Sequence, residues 1–157
     1  CGRLNKDVYE RHVDAMKFSE IEREQWPELA PYLDTVLFPL SGLTGHEQPY
    51  EATEALEKLR DALDPIETAF KGRVVTYPAL HYAEDEQQLA ALADKLCERF
   101  LETGFKFCIV VAGDPKLLAL DIPHASLVLG PDVSLPEYRV QAKRKIEALW
   151  QTVVTNS

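Results

Sequence analysis

The chain has 157 residues, 46% of them hydrophobic and 27% charged, a composition that fits one folded domain with a real core and excludes disordered and fibrous chains. Asp and Glu number 26 against 17 Lys and Arg, so the formal charge is −9. That excess repels phosphate backbones and anionic lipid, which sets nucleic-acid binding aside. No apolar run approaches the roughly 18 residues of a membrane span, so membrane insertion is not expected.

Residues 1–15 (CGRLNKDVYERHVDA) are polar and mixed in charge, and they precede the only methionine, Met16. They read as a tag, linker or mis-called leader, poorly ordered, with a single α/β domain over residues 16–157. Cys1-Gly2 also matches what cleavage of a lipoprotein signal leaves, a less favoured reading. The other cysteines, Cys97 and Cys108, show no metal-finger spacing. One lies in a helical pattern and the other in an apolar run, so both read as core thiols of a reducing, cytoplasmic compartment.

Ser19 with Glu22 makes a capping box for a short helix toward Leu29, limited by Pro27 and Pro31. Thr35-Val36-Leu37-Phe38 is a compact apolar strand, closed by Pro39 and the loop Ser41-Gly42-Leu43-Thr44-Gly45. Over residues 51–70, Ala52, Leu56, Leu59, Leu63, Ile66 and Phe70 recur every three or four positions, which predicts an amphipathic helix. Pro65 predicts a kink or a restart there, with Asp64 as N-cap. Arg73 to Tyr77 is the second strand, stopped by Pro78. Asp85 and Gln88 cap the next helix, with Leu89, Leu92, Leu96, Phe100 and Leu101 as its stripe and Gly104 beyond its end. Phe105 to Ala112 is the most hydrophobic strand, ended by Gly113-Asp114-Pro115. One possible turn, Lys116–Leu120, leads to a short fourth strand, Ser126–Leu129. Ser134 and Glu137 box the last helix, whose apolar face is Tyr138, Ala142, Ile146, Leu149 and Val153, with Trp150 beside it.

The strands are continuous apolar runs without alternation, as suits strands covered on both faces. Alternating strands and helices are also what right-handed parallel crossovers need. The expected fold is therefore a three-layer, Rossmann-like α/β sandwich, with a small, mostly parallel sheet of about four strands and helices on both faces. The direction of the fourth strand stays open, because the connection before it is short for a helical crossover.

In such a sheet ligands bind beyond the carboxyl ends of the strands. The loops there hold Ser41, Gly42, His46, His81 and Asp114, the candidate ligand-binding residues. Two imidazoles and a carboxylate, His46, His81 and Asp114, are also a candidate metal or acid–base set. The SGLTG loop lacks the spacing of a dinucleotide fingerprint or a P-loop and has no lysine after it, so a plain connection outweighs a phosphate cradle. No GxSxG elbow is present. Arg139, Lys143, Arg144 and Lys145 form the only dense basic cluster, which reads first as the wet face of an amphipathic helix.

Tyr32-Leu33-Asp34-Thr35-Val36-Leu37-Phe38-Pro39-Leu40, then Phe70-Lys71-Gly72-Arg73-Val74-Val75 with Tyr77-Pro78, carry a family likeness. From Met16 to about residue 154 the chain resembles the YpiF-like proteins, a small family of uncharacterised cytosolic proteins from spore-forming Gram-positive bacteria. The resemblance implies no activity and no site residues. It does imply kinship with proteins encoded beside genes for a menaquinol–cytochrome c reductase, and so an accessory role.

The leading functional expectation is a cytoplasmic, non-enzymatic accessory or protein-interaction domain, with a protein partner or a second copy of itself and no cofactor. The alternatives are a small-molecule or nucleotide-binding module using the strand-end rim, and a metal-assisted hydrolase on the same rim.

Overall fold

The computed structural model of the chain describes residues 21–156, with side chains through residue 152. Ser19 and the polar stretch 1–15 lie outside the described residues. Four strands, β1 (Thr35–Leu40), β2 (Val74–Thr76), β3 (Phe107–Ala112) and β4 (Leu127–Leu129), stand in the order β2-β1-β3-β4, and every pairing is parallel. The fourth strand therefore runs with the others, although only a 3-10 turn at Pro115–Ala119 interrupts its crossover.

Among the described residues four α-helices accompany the sheet: α1 (Trp26–Leu29), α2 (Pro49–Ala69), α3 (Glu86–Glu102) and α4 (Leu135–Asn156). Side chains alternate across a strand, so each strand serves two cores. On one face α3 lays Leu89, Ala93 and Cys97 over Val36, Phe38, Val75, Cys108 and Val110, and α1 closes the margin with Trp26 and Leu29. On the other, α2 and α4 lay Ala62, Ile66, Ala142, Ile146 and Trp150 over Leu37, Val74, Ile109 and Val111. This double cover explains the unbroken apolar runs: all six residues of β1 and of β3 are buried. Burying one such Leu, Ile or Val side chain contributes about 1.5–3 kcal/mol.

Three features depart from the sequence expectation, each for a local reason. Strand β1 passes through Pro39 instead of stopping there. The carbonyls of Leu37 and Pro39 accept from Tyr77 and Leu80, so this side of β1 faces β2, which has already ended at Thr76. The amide that proline lacks is thus missing where the regular ladder has ended. Helix α2 is continuous through Pro65, with no restart at Asp64. Its buried residues are Leu59, Ala62 and Ile66, whereas Leu56 is 44% exposed. A Cβ on Gly113, just past the end of β3, would stand 2.7 Å from the Leu59 amide. The sheet ends level with Leu59, and the turns before it overhang into solvent. In α3 the stripe is likewise Leu89, Ala93 and Cys97, with Leu92 turned outward.

The caps agree with the sequence. Asp85 accepts the Gln88 amide at 2.7 Å, and Ser134 accepts that of Glu137 at 3.4 Å. In α4, Tyr138, Ala142, Ile146 and Trp150 are buried; the side chain of Val153 is outside the described residues.

At the amino end of the sheet, Arg73 donates through Nε and Nη2 to the two carboxylate oxygens of Asp34, at 3.0 and 3.2 Å. Its guanidinium lies 3.8 Å from the centre of the Trp150 ring. The Asp34 carbonyl also accepts the amides of Lys106 and Phe107. Arg73 thus ties the starts of β1 and β2 to α4.

Candidate functional site

Strand β1 feeds β2 on one side, and the chain then returns to place β3 on the other. The order reverses between β1 and β3, and the opening beyond their carboxyl ends is the topological switch point where α/β folds seat ligands. A cleft of about 420 Å³ lies there, lined by Ser41, Gly42, Glu47, Glu51, Glu54, Lys58, Asp114 and Lys116, among others. The first turns of α2 supply one wall because they overhang the sheet. Gly113 makes that close approach possible, since any side chain there would meet the backbone of Lys58 and Leu59 below 3 Å.

Most of the acids at the rim are committed to the backbone. Glu47 accepts from the amides of Thr44 and Gly45 at 2.8 and 2.9 Å and from the Thr44 hydroxyl at 2.9 Å. These bonds, the Thr44 amide foremost, hold its carboxyl down to about 2. The Gln48 amide donates to Glu51 at 3.1 Å, and Asp114 accepts the Lys116 amide at 3.0 Å. Two of the amides that a phosphate would seek in the SGLTG loop, those of Thr44 and Gly45, are thus taken by Glu47. By contrast, the side chains of Glu54, Lys58 and Lys116 make no hydrogen bond or ion pair among the described residues.

Of the sequence candidates, Ser41, Gly42 and Asp114 line this one cleft. His81 reaches it through Ser41, its Nδ1 lying 2.7 Å from Ser41 Oγ. The Ser41 hydroxyl also accepts the Leu43 amide and is within donating distance of the Leu80 carbonyl, each at 3.3 Å, and the residue is only 6% exposed. His46 is exposed and outside the cleft lining; its amide donates to the Thr44 hydroxyl. Among the described residues no three His, Cys, Asp or Glu side chains are grouped to hold a metal ion, so His46, His81 and Asp114 do not converge. The sequence reading missed Glu54 and Lys58, which follow the loop on the overhanging start of α2. It also missed Tyr82, a non-glycine residue with φ +61° and 67% exposure. Arg139 and Lys143 line a shallow groove of about 220 Å³ against Asp64 and Pro65, while Arg144 and Lys145 are exposed. No described helix is long and apolar enough to cross a membrane.

Fold and rim together define an all-parallel, three-layer α/β protein with a polar cleft at its switch point. A family profile matches residues 24–153, and the chain belongs to that family, described as a protein of unknown function (DUF2487). Neither a curated protein nor a solved structure matches the chain.

Proposed function

We propose that the chain is a small-molecule-binding α/β module whose polar ligand sits between the carboxyl ends of β1 and β3. The observation that carries this reading is a cleft of about 420 Å³ at the switch point, into which Lys58, Lys116 and Glu54 bring charges that no neighbour neutralises. Ligand pockets span about 300–1,000 Å³ and place a few convergent polar groups. Glu47 occupies the Thr44 and Gly45 amides, which weighs against a nucleotide phosphate held in the SGLTG loop. The test is thermal unfolding against a library of small polar metabolites, nucleotides and divalent ions. A true ligand at 1,000 times its Kd stabilises by about 4 kcal/mol. That shift should vanish in the Lys58→Ala, Lys116→Ala double variant, and a library that moves nothing would refute the reading.

A second reading, a cytoplasmic non-enzymatic accessory domain kin to the YpiF-like proteins, draws support from the tyrosines at the same end. Tyr50 and Tyr82 are 65% and 67% exposed, and tyrosine is a preferred anchor of protein interfaces. A photo-crosslinking residue at position 82 should then capture one partner in cells of the native organism, while the same residue at position 72, on the opposite end, should not.

A further inference from the structure

We infer that Ser41 and His81 form a nucleophile–base pair that transfers the acyl group of a small carboxylic ester or thioester bound in the switch-point cleft. The inference rests on the reading of that cleft as a ligand site and adds a reaction to it.

Three observations converge. Ser41 Oγ lies 2.7 Å from His81 Nδ1, closer than the 3.3 Å to the Leu80 carbonyl oxygen that competes for the same proton, and within the distance at which an imidazole takes it. Ser41 lines the cleft, so a bound carbonyl carbon has access to the oxygen from that side. Both members are followed by a residue in left-handed backbone: Gly42 at φ +75° after Ser41 and Tyr82 at φ +61° after His81. For glycine that conformation is free. For tyrosine it is strained, and strain of this kind collects where surrounding structure must aim a functional group. Here the aiming is visible: hydrogen bonds from Leu80 to Pro39, from Ser41 to Leu80 and from Ala83 to Leu43 hold the His81 segment against the Ser41 segment on both sides.

The chemistry balances without any added reagent. Ser41 Oγ attacks the ester carbonyl while its proton passes to His81 Nδ1, with Nε2 carrying the other ring proton. The carbon–oxygen bond to the leaving alcohol breaks, and the alcohol departs with the proton from Nδ1. Water then attacks the acyl-serine, gives its proton to Nδ1, and Ser41 recovers it as the acid leaves. The amide of Gly42, next in the chain after the nucleophile, holds the sequence position from which α/β acyl-transfer sites draw an oxyanion donor. Among the described residues no carboxylate is bonded to Nε2 of His81, so the imidazolium lacks the partner that triads use. That restricts the pair to esters and thioesters, whose leaving groups need less help than an amide nitrogen.

The test is labelling of the full chain with a fluorophosphonate, which takes the same attack and releases fluoride, followed by peptide mapping. The expected result is an adduct on Ser41, formed at least about 100-fold more slowly in His81→Ala. Tyr82 acts as a positioning residue: Tyr82→Val, which rejects left-handed backbone, should slow labelling by about 10-fold or more, while Tyr82→Asn, which tolerates it, should keep the rate. An unlabelled Ser41 in the wild-type protein, or labelling that ignores His81→Ala, overturns the pair, and the wild-type result stands whether or not the variants fold. The two readings fail separately. Metabolites that still raise the melting temperature while Ser41 stays unlabelled leave the cleft and remove the chemistry. A labelled Ser41 in a protein that no metabolite stabilises supports the chemistry and removes the broader ligand-binding reading.

Discussion

Trp150 donates its indole N–H to the Thr35 hydroxyl at 3.1 Å, so the last helix is bonded to the first residue of β1. Thr35 passes its own hydroxyl hydrogen to Asp34 at 2.9 Å, and Asp34 is held by Arg73. Four side chains from three parts of the chain thereby share one edge of the sheet. Replacing Trp150 with Phe keeps a ring on Phe70, whose centroid is 4.9 Å away, but leaves Thr35 without its donor. The expected loss is about 1–2 kcal/mol in urea unfolding. Adding Thr35→Val should then cost less than it does alone, because the two share one bond.

The glycines give a graded prediction. A Cβ at position 130 would stand 2.4 Å from the Ala112 carbonyl oxygen, and one at position 113 would stand 2.7 Å from the Leu59 amide. In both places the obstacle is backbone, so Gly130→Ala and Gly113→Ala should each cost about 1–3 kcal/mol. Gly72 meets nothing within 4 Å and has no positive φ. Gly72→Ala should be neutral, or stabilising by about 0.4–1 kcal/mol. Thermal melts of the three variants check the order.

Glu47 predicts the acid behaviour of the rim. Its carboxyl is held at about 2, below its ordinary 4.5, by the amides and hydroxyl it accepts from. A depressed carboxylate stabilises the fold fully above the ordinary value and loses that contribution as pH falls through the lower one. The melting temperature of Glu47→Gln should therefore lie below wild type at neutral pH, with the gap closing between about pH 4.5 and pH 2.

Cys97 and Cys108 are both fully buried, with sulfurs 3.2 Å apart. The hydrogen bond to Cys97, and then burial, push the Cys108 thiol well above its usual value. A thiol that cannot ionise is a poor nucleophile. Peptide mapping after treatment with a thiol reagent should find both unmodified in the native protein and both modified in denaturant.

The fold was legible because each buried strand is an apolar run and two of the helices open on caps that the sequence shows, Asp85 and Ser134. The predicted helix faces hold at Leu59, Ile66 and Leu89 but not at Leu56 and Leu92, because their spacing cannot tell where the sheet beneath them ends. Pro39 misled for a related reason: whether a strand tolerates proline depends on the length of its neighbour. The site was only half visible. Ser41 and His81 were placed on one rim by the parallel-sheet rule, yet their bond spans 40 positions and depends on how the loop after β2 folds back over β1. His46 and Asp114 obeyed the same rule and do not converge with His81, because the rule selects an end of the sheet and says nothing about distances along it. Arg73 and Asp34, 39 positions apart, carried no sequence sign of their pairing beyond their charges.

The strand order has a consequence for biosynthesis. Strand β1 is matched to β2 over three positions but to β3 over six, so its longer seam is with a segment that leaves the ribosome some seventy positions later. Until Ala112 has emerged, the nascent chain carries a wholly apolar ribbon with one flank unclaimed, an invitation to cross-pairing between neighbouring polysome products. Translation stalled just before Phe107 should yield sticky, chaperone-bound fragments, whereas chains that clear Leu129 should shed their chaperones together.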